Sequence, residues 1–186
     1  DPSVSEPVAE VLMCDTKGII SRNRNDIESY PAKMKLARIT NRHGRDGGLD
    51  DAIEGADVFI GVSVEGALTP AMVRKMNPDP IIFALANPVP EILPEEAYEA
   101  GALVVGTGRS DFANQINNVL AFPGIFRGAI DVKATRITSS MKIAAARALA
   151  DHVGKPGRDH IIPSVLDKTA GEDVARAVSQ AYDPEV

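Results

Sequence analysis

Short, β-branched apolar runs alternate along this chain with segments whose apolar residues recur at helical spacing. Val8 to Cys14 predicts a strand, interrupted once by the polar Glu10. Residues 31–39 open with Pro31 and place Met34, Leu36, Ala37 and Ile39 at apolar positions, which predicts a helix. Asn41 to Gly48 is polar and glycine-rich, hence a loop. Leu49 to Glu54 predicts a short helix, with Asp50 and Asp51 in the first turn, where acids oppose the positive end of the helix dipole. Val58 to Val62 predicts a buried strand. Thr69 stands where a side-chain cap is needed for a helix opening at Pro70 and running to about Met76. Pro80 to Ala86 predicts a strand, Pro94 to about Ala100 a helix, and Ala102 to Val105 a strand stopping at Gly106. Three longer helices follow, over Gln115–Ile130, Ser139–Val153 and Ala170–Tyr182. The polar, turn-rich segment from Gly154 to His160 links the last of them to the body.

This rhythm of strand and helix marks an α/β fold with a doubly wound parallel sheet, helices on both faces and a C-terminal helix. In such sheets ligands bind in the crevice beyond the carboxyl ends of the strands. Two strand ends here present asparagines: the run Ile81 to Ala86 stops at Asn87-Pro88, and Ala102 to Val105 leads into a segment containing Asn117 and Asn118. A small polar ligand is expected there.

Composition narrows the function classes. At 186 residues, 44% hydrophobic and 25% charged, the chain is long enough to bury one ordinary core. The net charge of -6, with no Lys/Arg run, argues against nucleic acid and against an anionic membrane surface. No apolar run approaches a membrane span and no secretory signal is seen. The lone Cys14 excludes an internal disulfide and suits a reducing cytosol, so a cytoplasmic location is expected. Trp is absent and aromatics are 4%, which disfavours a base-stacking platform.

Met13-Cys14-Asp15-Thr16-Lys17-Gly18, Gly55-Ala56-Asp57-Val58-Phe59-Ile60-Gly61-Val62-Ser63, Phe83-Ala84-Leu85-Ala86-Asn87-Pro88-Val89-Pro90-Glu91 and the block from Gly106 to Ala129 together resemble the nucleotide-binding half of the bacterial malic enzymes. Gln115-Ile116-Asn117-Asn118-Val119 followed by Phe122-Pro123-Gly124 is the most specific part of the match. Ala-Asp-Val-Phe-Ile-Gly by itself is common among doubly wound sheets. The resemblance implies a Rossmann-like domain that takes NAD or NADP, in an enzyme that oxidises malate and decarboxylates it to pyruvate with Mg²⁺ or Mn²⁺. Malate and pyruvate are the implied small-molecule partners, and a homo-oligomer, a dimer, is expected.

The glycine-rich phosphate loop of a dinucleotide fold is not found. An acid holding the adenosine ribose follows that loop by about 20 residues, and Asp15, at a strand end, fits this role. The chain is therefore expected to start inside a Rossmann domain, at its second strand. Residues 1–153 are expected to form a partial NAD(P)-binding domain, and 154–186 a linker and helix packed on it. In the family, the lysine and tyrosine acting as base and acid, and the carboxylates holding the metal, precede the phosphate loop. No segment matches them, so this chain alone is expected to be inactive. Glu95-Glu96 and Asp50-Asp51 are adjacent acids that point apart on a helix and serve as helix-start charges.

The candidate cofactor contacts are Asp15, Ser63 and Asn87, and the candidate substrate contacts are Asn87, Asn117 and Asn118. Asp15 would accept from ribose hydroxyls and repel a 2′-phosphate, leaning toward NAD, while Lys17 offsets that charge. The bland alternative is a solvated strand-end acid. Gly61 and Ser63 suit close approach of backbone to a ligand, or a simple turn. Asn87 offers donor and acceptor at a loop that Pro88 holds extended, or merely caps a turn. Asn117 and Asn118, early in an apolar helix, need partners, which are either a ligand or the preceding loop. Arg109 reads equally as a carboxylate fork or as an ion pair with Asp111. His43, His152 and His160 read as surface residues, Cys14 as a small core residue, and the alanine-rich stretch from Met141 to Leu149 as a packed helix. Two other classes stay open. One is a non-catalytic nucleotide or small-acid binding module. The other is an assembly unit that uses an exposed sheet edge.

Overall fold

A computed structural model describes residues 8–183. Its centre is a three-stranded parallel sheet of β3 (Val58–Gly61), β4 (Ile81–Ala84) and β5 (Val104–Thr107), in that order. A separate antiparallel hairpin is made by β1 (Cys14–Asp15) and β2 (Gly18–Ile19). Seven α-helices lie among the described residues: α1 (Pro31–Ile39), α2 (Leu49–Ile53), α3 (Pro70–Val73), α4 (Pro94–Glu99), α5 (Phe122–Asp131), α6 (Ser139–Val153) and α7 (Lys168–Gln180). The fold is α/β and Rossmann-like, with a parallel sheet, helical crossovers and a C-terminal helix.

Local chemistry sets most of these boundaries. Thr69 accepts a hydrogen bond from the Met72 amide and Pro70 takes the first turn of α3, where its missing N–H costs nothing. Asp51 closes the start of α2 by accepting from the Gly48 amide at 2.8 Å. Thr138 caps α6 and Asp167 caps α7.

Packing then builds separate cores. α2, α3 and α4 cover one face of the sheet, where Ile53, Phe59, Val73, Ile82, Ala84, Ala97 and Val105 form a buried cluster. On the opposite face Val58 and Ile60 of β3, expected to be buried, are exposed, so the strand is covered on one face only, and Ile116 lies over Gly106. α5, α6 and α7 enclose a second cluster built on Ile125, Met141, Ala145, Val174 and Val178. Ile20, Ile27 and Ala37 form a third, around the hairpin and α1.

Several sequence expectations are corrected. The strand expected over Val8–Cys14 contracts to β1. Among the described residues no strand lies beside its first part, and Val8 and Val11 are exposed. The helix expected over Gln115–Ile130 begins only at Phe122. Before it, Ile116 donates to the Thr107 carbonyl at 2.8 Å, so this stretch runs beside β5. A single 3₁₀ turn, Asn118–Leu120, then leads into α5. Cys14, expected in the core, is exposed.

Candidate functional site

In the parallel register Gly61, Ala84 and Thr107 lie side by side. The three strands therefore release their chains at one level, at the carboxyl end of the sheet. Ser63 leaves after β3, Asn87 after β4, and the segment 108–118 after β5. This is the end at which doubly wound sheets bind ligands.

Asn87 is exposed, and among the described residues its side chain makes no hydrogen bond. The same is true of Asn118. Asn117 is exposed as well, but it caps the 3₁₀ turn, accepting from the Val119 amide at 3.0 Å. Neither amide is buried inside a helix, so neither carries the desolvation cost that the sequence pattern suggested. Ser63 is exposed, yet its amide and hydroxyl both donate to Glu91 Oε1, at 2.7 and 3.1 Å. Glu91 is fully buried, and its other oxygen accepts from the Ala86 amide at 3.0 Å.

Asp15 sits apart, on the hairpin rather than on the three-stranded sheet. Oδ1 accepts from the Lys17 amide at 2.9 Å and Arg24 Nη1 at 2.8 Å, and Oδ2 from Arg24 Nη2 at 3.0 Å and Lys33 Nζ at 2.5 Å. Four donors match the roughly four lone-pair positions of a carboxylate. The forked Arg24 guanidinium, with Lys33, holds the Asp15 carboxyl well below the usual range. Arg24 also binds Asp26, which Lys17 meets at 3.1 Å.

Arg109 forks onto Asp111 at 2.8 and 2.6 Å, so the ion-pair reading holds for it. His43 and His160 are exposed. His152 is not a simple surface residue. It joins Asp173 of α7 at 2.7 Å and Asp167 at 3.0 Å, and these carboxylates raise its pKa, Asp167 first. A groove of about 730 Å³ beside it, between α6 and α7, is lined by none of the candidate site residues and by no residue of the sheet. Its chemistry, two arginines, two aspartates and a histidine along small apolar residues, does not resemble a dinucleotide cradle.

Glu91, Arg24, Lys33 and Asn114 had no role in the sequence reading. Asn114 is buried and donates to the carbonyls of Val105 and Arg158, at 3.0 and 2.8 Å, pinning the 157–161 segment to β5. An acid between Pro90 and Ile92 was the one available signal for Glu91. Among the described residues no group of three or more His, Cys, Asp or Glu side chains could hold a metal ion, and no helix is long and apolar enough to cross a membrane.

Comparison with known proteins gives a consistent picture. The family model described as malic enzyme, NAD binding domain, matches residues 3–182. The bifunctional malic/malolactic enzyme of Bacillus subtilis (strain 168) is 56% identical over 180 residues, covering 94% of this chain and 43% of that protein. The NADP-dependent malic enzyme of Halomonas elongata is 44% identical over 188 residues, covering 92% of this chain and 43% of its own length. The crystal structure of the NAD-dependent malic enzyme from Thermotoga maritima superposes with a TM-score of 0.85 at 46% identity, over 91% of this chain and 45% of that one. The chain thus spans under half the length of the curated relatives it matches.

Proposed function

The chain belongs to the malic enzyme NAD-binding domain family, and from that premise we propose that it supplies the dinucleotide side of the cleft in an NAD(P)-dependent enzyme converting malate to pyruvate and carbon dioxide. The observation that carries this reading is the level row of strand ends, which releases the segments of Ser63 and Asn87 at one level, the Asn87 side chain making no hydrogen bond among the described residues. Asn87 and Ser63 would hold the nicotinamide half, and Asn87, Asn117 and Asn118 would orient malate, a positioning role. A bound nicotinamide would supply the hydride acceptor for malate oxidation.

Asp15 would hold the adenosine ribose. With its lone pairs already engaged, it can accept ribose hydroxyls only if a donor withdraws. Lys33 is the candidate, because its side chain is 31% exposed against 13% for Arg24. The described residues do not fit a divalent metal, so no step is assigned to one in this chain. Residues 1–153 would form the binding unit and 154–186 a linker and packed helix, in a cytoplasmic protein. The chain by itself would bind dinucleotide without turning over malate.

Fluorescence titration of the purified chain with NADH and NADPH tests the binding role, and saturable binding is expected. Absence of any binding would refute it. Robust malate-dependent NADH formation with Mn²⁺ would instead refute the proposed inactivity.

A second reading, assembly, is favoured by one observation. β3 is an edge strand of the sheet, paired among the described residues with β4 alone, and its Val58 and Ile60 are 46% and 63% exposed. Such an edge pairs readily with another strand. Concentration-dependent dimerisation that ignores dinucleotide would support it, and a homodimer is part of the proposal.

A further inference from the structure

Glu91 lies at the start of the segment that follows the Pro88-Val89-Pro90 turn, and none of it is exposed to solvent. A buried carboxylate is costly unless its oxygens are met by donors. Oε1 accepts from the amide and hydroxyl of Ser63, and Oε2 from the amide of Ala86. The main-chain oxygen of Glu91 accepts in addition from Leu68, at the far end of the loop that Ser63 begins. Among the described residues no Lys, Arg or His forms an ion pair with Glu91, so these donors satisfy it.

The two oxygens serve different strand ends. One fastens the chain leaving β3, and the other fastens the residue immediately before Asn87, on the chain leaving β4. Gly61 makes the space, since a Cβ there would stand 2.5 Å from Glu91 Cδ. Glutamine could not replace this acid. An amide offers one acceptor oxygen and a donor NH₂, so one of the two strand ends would face donor against donor.

We infer that Glu91 is a positioning residue of the cleft, a single carboxylate that fixes Ser63 and Asn87 relative to each other. The inference rests on the reading of these strand ends as the dinucleotide site.

The test uses the full chain, ¹⁵N-labelled, as wild type, Glu91→Gln and Glu91→Asp. Aspartate keeps the charge but is one methylene shorter, so it cannot span both strand ends, and it serves if the glutamine variant fails to fold. Amide hydrogen exchange at Ser63 or Ala86 should quicken by about tenfold or more, as a buried donor loses its acceptor. Exchange in α6 and α7 should not change. NADH affinity should fall by about tenfold. Unchanged exchange at both amides would overturn the inference, as would equal quickening throughout the chain, which marks a purely structural role, or an NADH affinity equal to wild type. If the wild-type chain binds no NADH at all, the proposed function falls, and the positioning role is decided by the exchange data alone.

Discussion

A Cβ placed on Gly128 would stand 2.4 Å from the carbonyl oxygen of Ala175. One turn earlier, a Cβ on Gly124 would stand 2.7 Å from the carbonyl oxygen of Gly171. α5 and α7 therefore cross with their backbones nearly touching, and Ser179 adds a hydrogen bond to the Gly128 carbonyl at 3.0 Å. In an open helix, replacing Gly with Ala stabilises by about 1 kcal/mol. Here overpacking outweighs that gain, and Gly128→Ala should destabilise by about 1–3 kcal/mol. Gly171, inside α7, would point a Cβ away from that crossing into open space, and should show the opposite sign, stabilising by about 0.5–1 kcal/mol as alanine. Urea unfolding of the two variants decides this, and a stabilised Gly128→Ala would contradict the close crossing.

Asp15 faces Arg24 and Lys33, with the Lys17 ammonium close by on Asp26, which among the described residues is the only other acid bonded to these cations. Asp15→Asn removes a negative charge while the three cations stay. The NADPH-to-NADH affinity ratio should rise by about tenfold, the gain of a charge-assisted hydrogen bond to the 2′-phosphate. Parallel fluorescence titrations measure the ratio, and an unchanged value would remove Asp15 from the ribose site.

Asn87 has no side-chain hydrogen bond among the described residues, so its stability cost on truncation should be small. Asn87→Ala should leave the unfolding free energy within about 0.5 kcal/mol of wild type. Dinucleotide affinity should nevertheless drop by about tenfold. A variant that binds NADH as wild type does would show that this side chain faces no ligand.

His152 bridges α6 to Asp167 and Asp173, and both bonds favour its protonated form. Its pKa in the folded chain is raised above the ordinary value, so the stabilisation is complete below about pH 6.5 and is lost as pH climbs through the raised value. The carboxylates are lowered, Asp167 to about 2. They stay ionised until well into acid, where their own contribution fades. The Tm of His152→Gln should lie about 2–4 °C below wild type at about pH 5.5, with a smaller gap at about pH 9. A gap that widens with alkali would refute the bridge.

Some of this molecule was legible residue by residue. α1 and α6 begin and end where the pattern of apolar positions places them. Thr69 caps α3, as its place before Pro70 implies. These are local matters, because helix periodicity and capping depend on residues three or four apart. The segment 115–121 departs from its pattern for the same reason. Its apolar spacing is helical, but Ile116 bonds to Thr107 and the Asn117 side chain takes the Val119 amide, so the helix starts later. That Ser63 and Asn87 stand at strand ends followed from where the β-branched runs stop.

The sequence by itself thus determined the α/β class, the rhythm of the elements, the family resemblance and the candidate polar residues. Only the tertiary structure decided what those residues touch. Ser63 meets Glu91 across 28 positions, and Asp15 meets Lys33 across 18. Hydrogen bonds of that separation have no imprint in local spacing. They exist because burial of the apolar faces brings distant loops together, and each polar group trapped there must then find a donor or acceptor in whatever lies beside it.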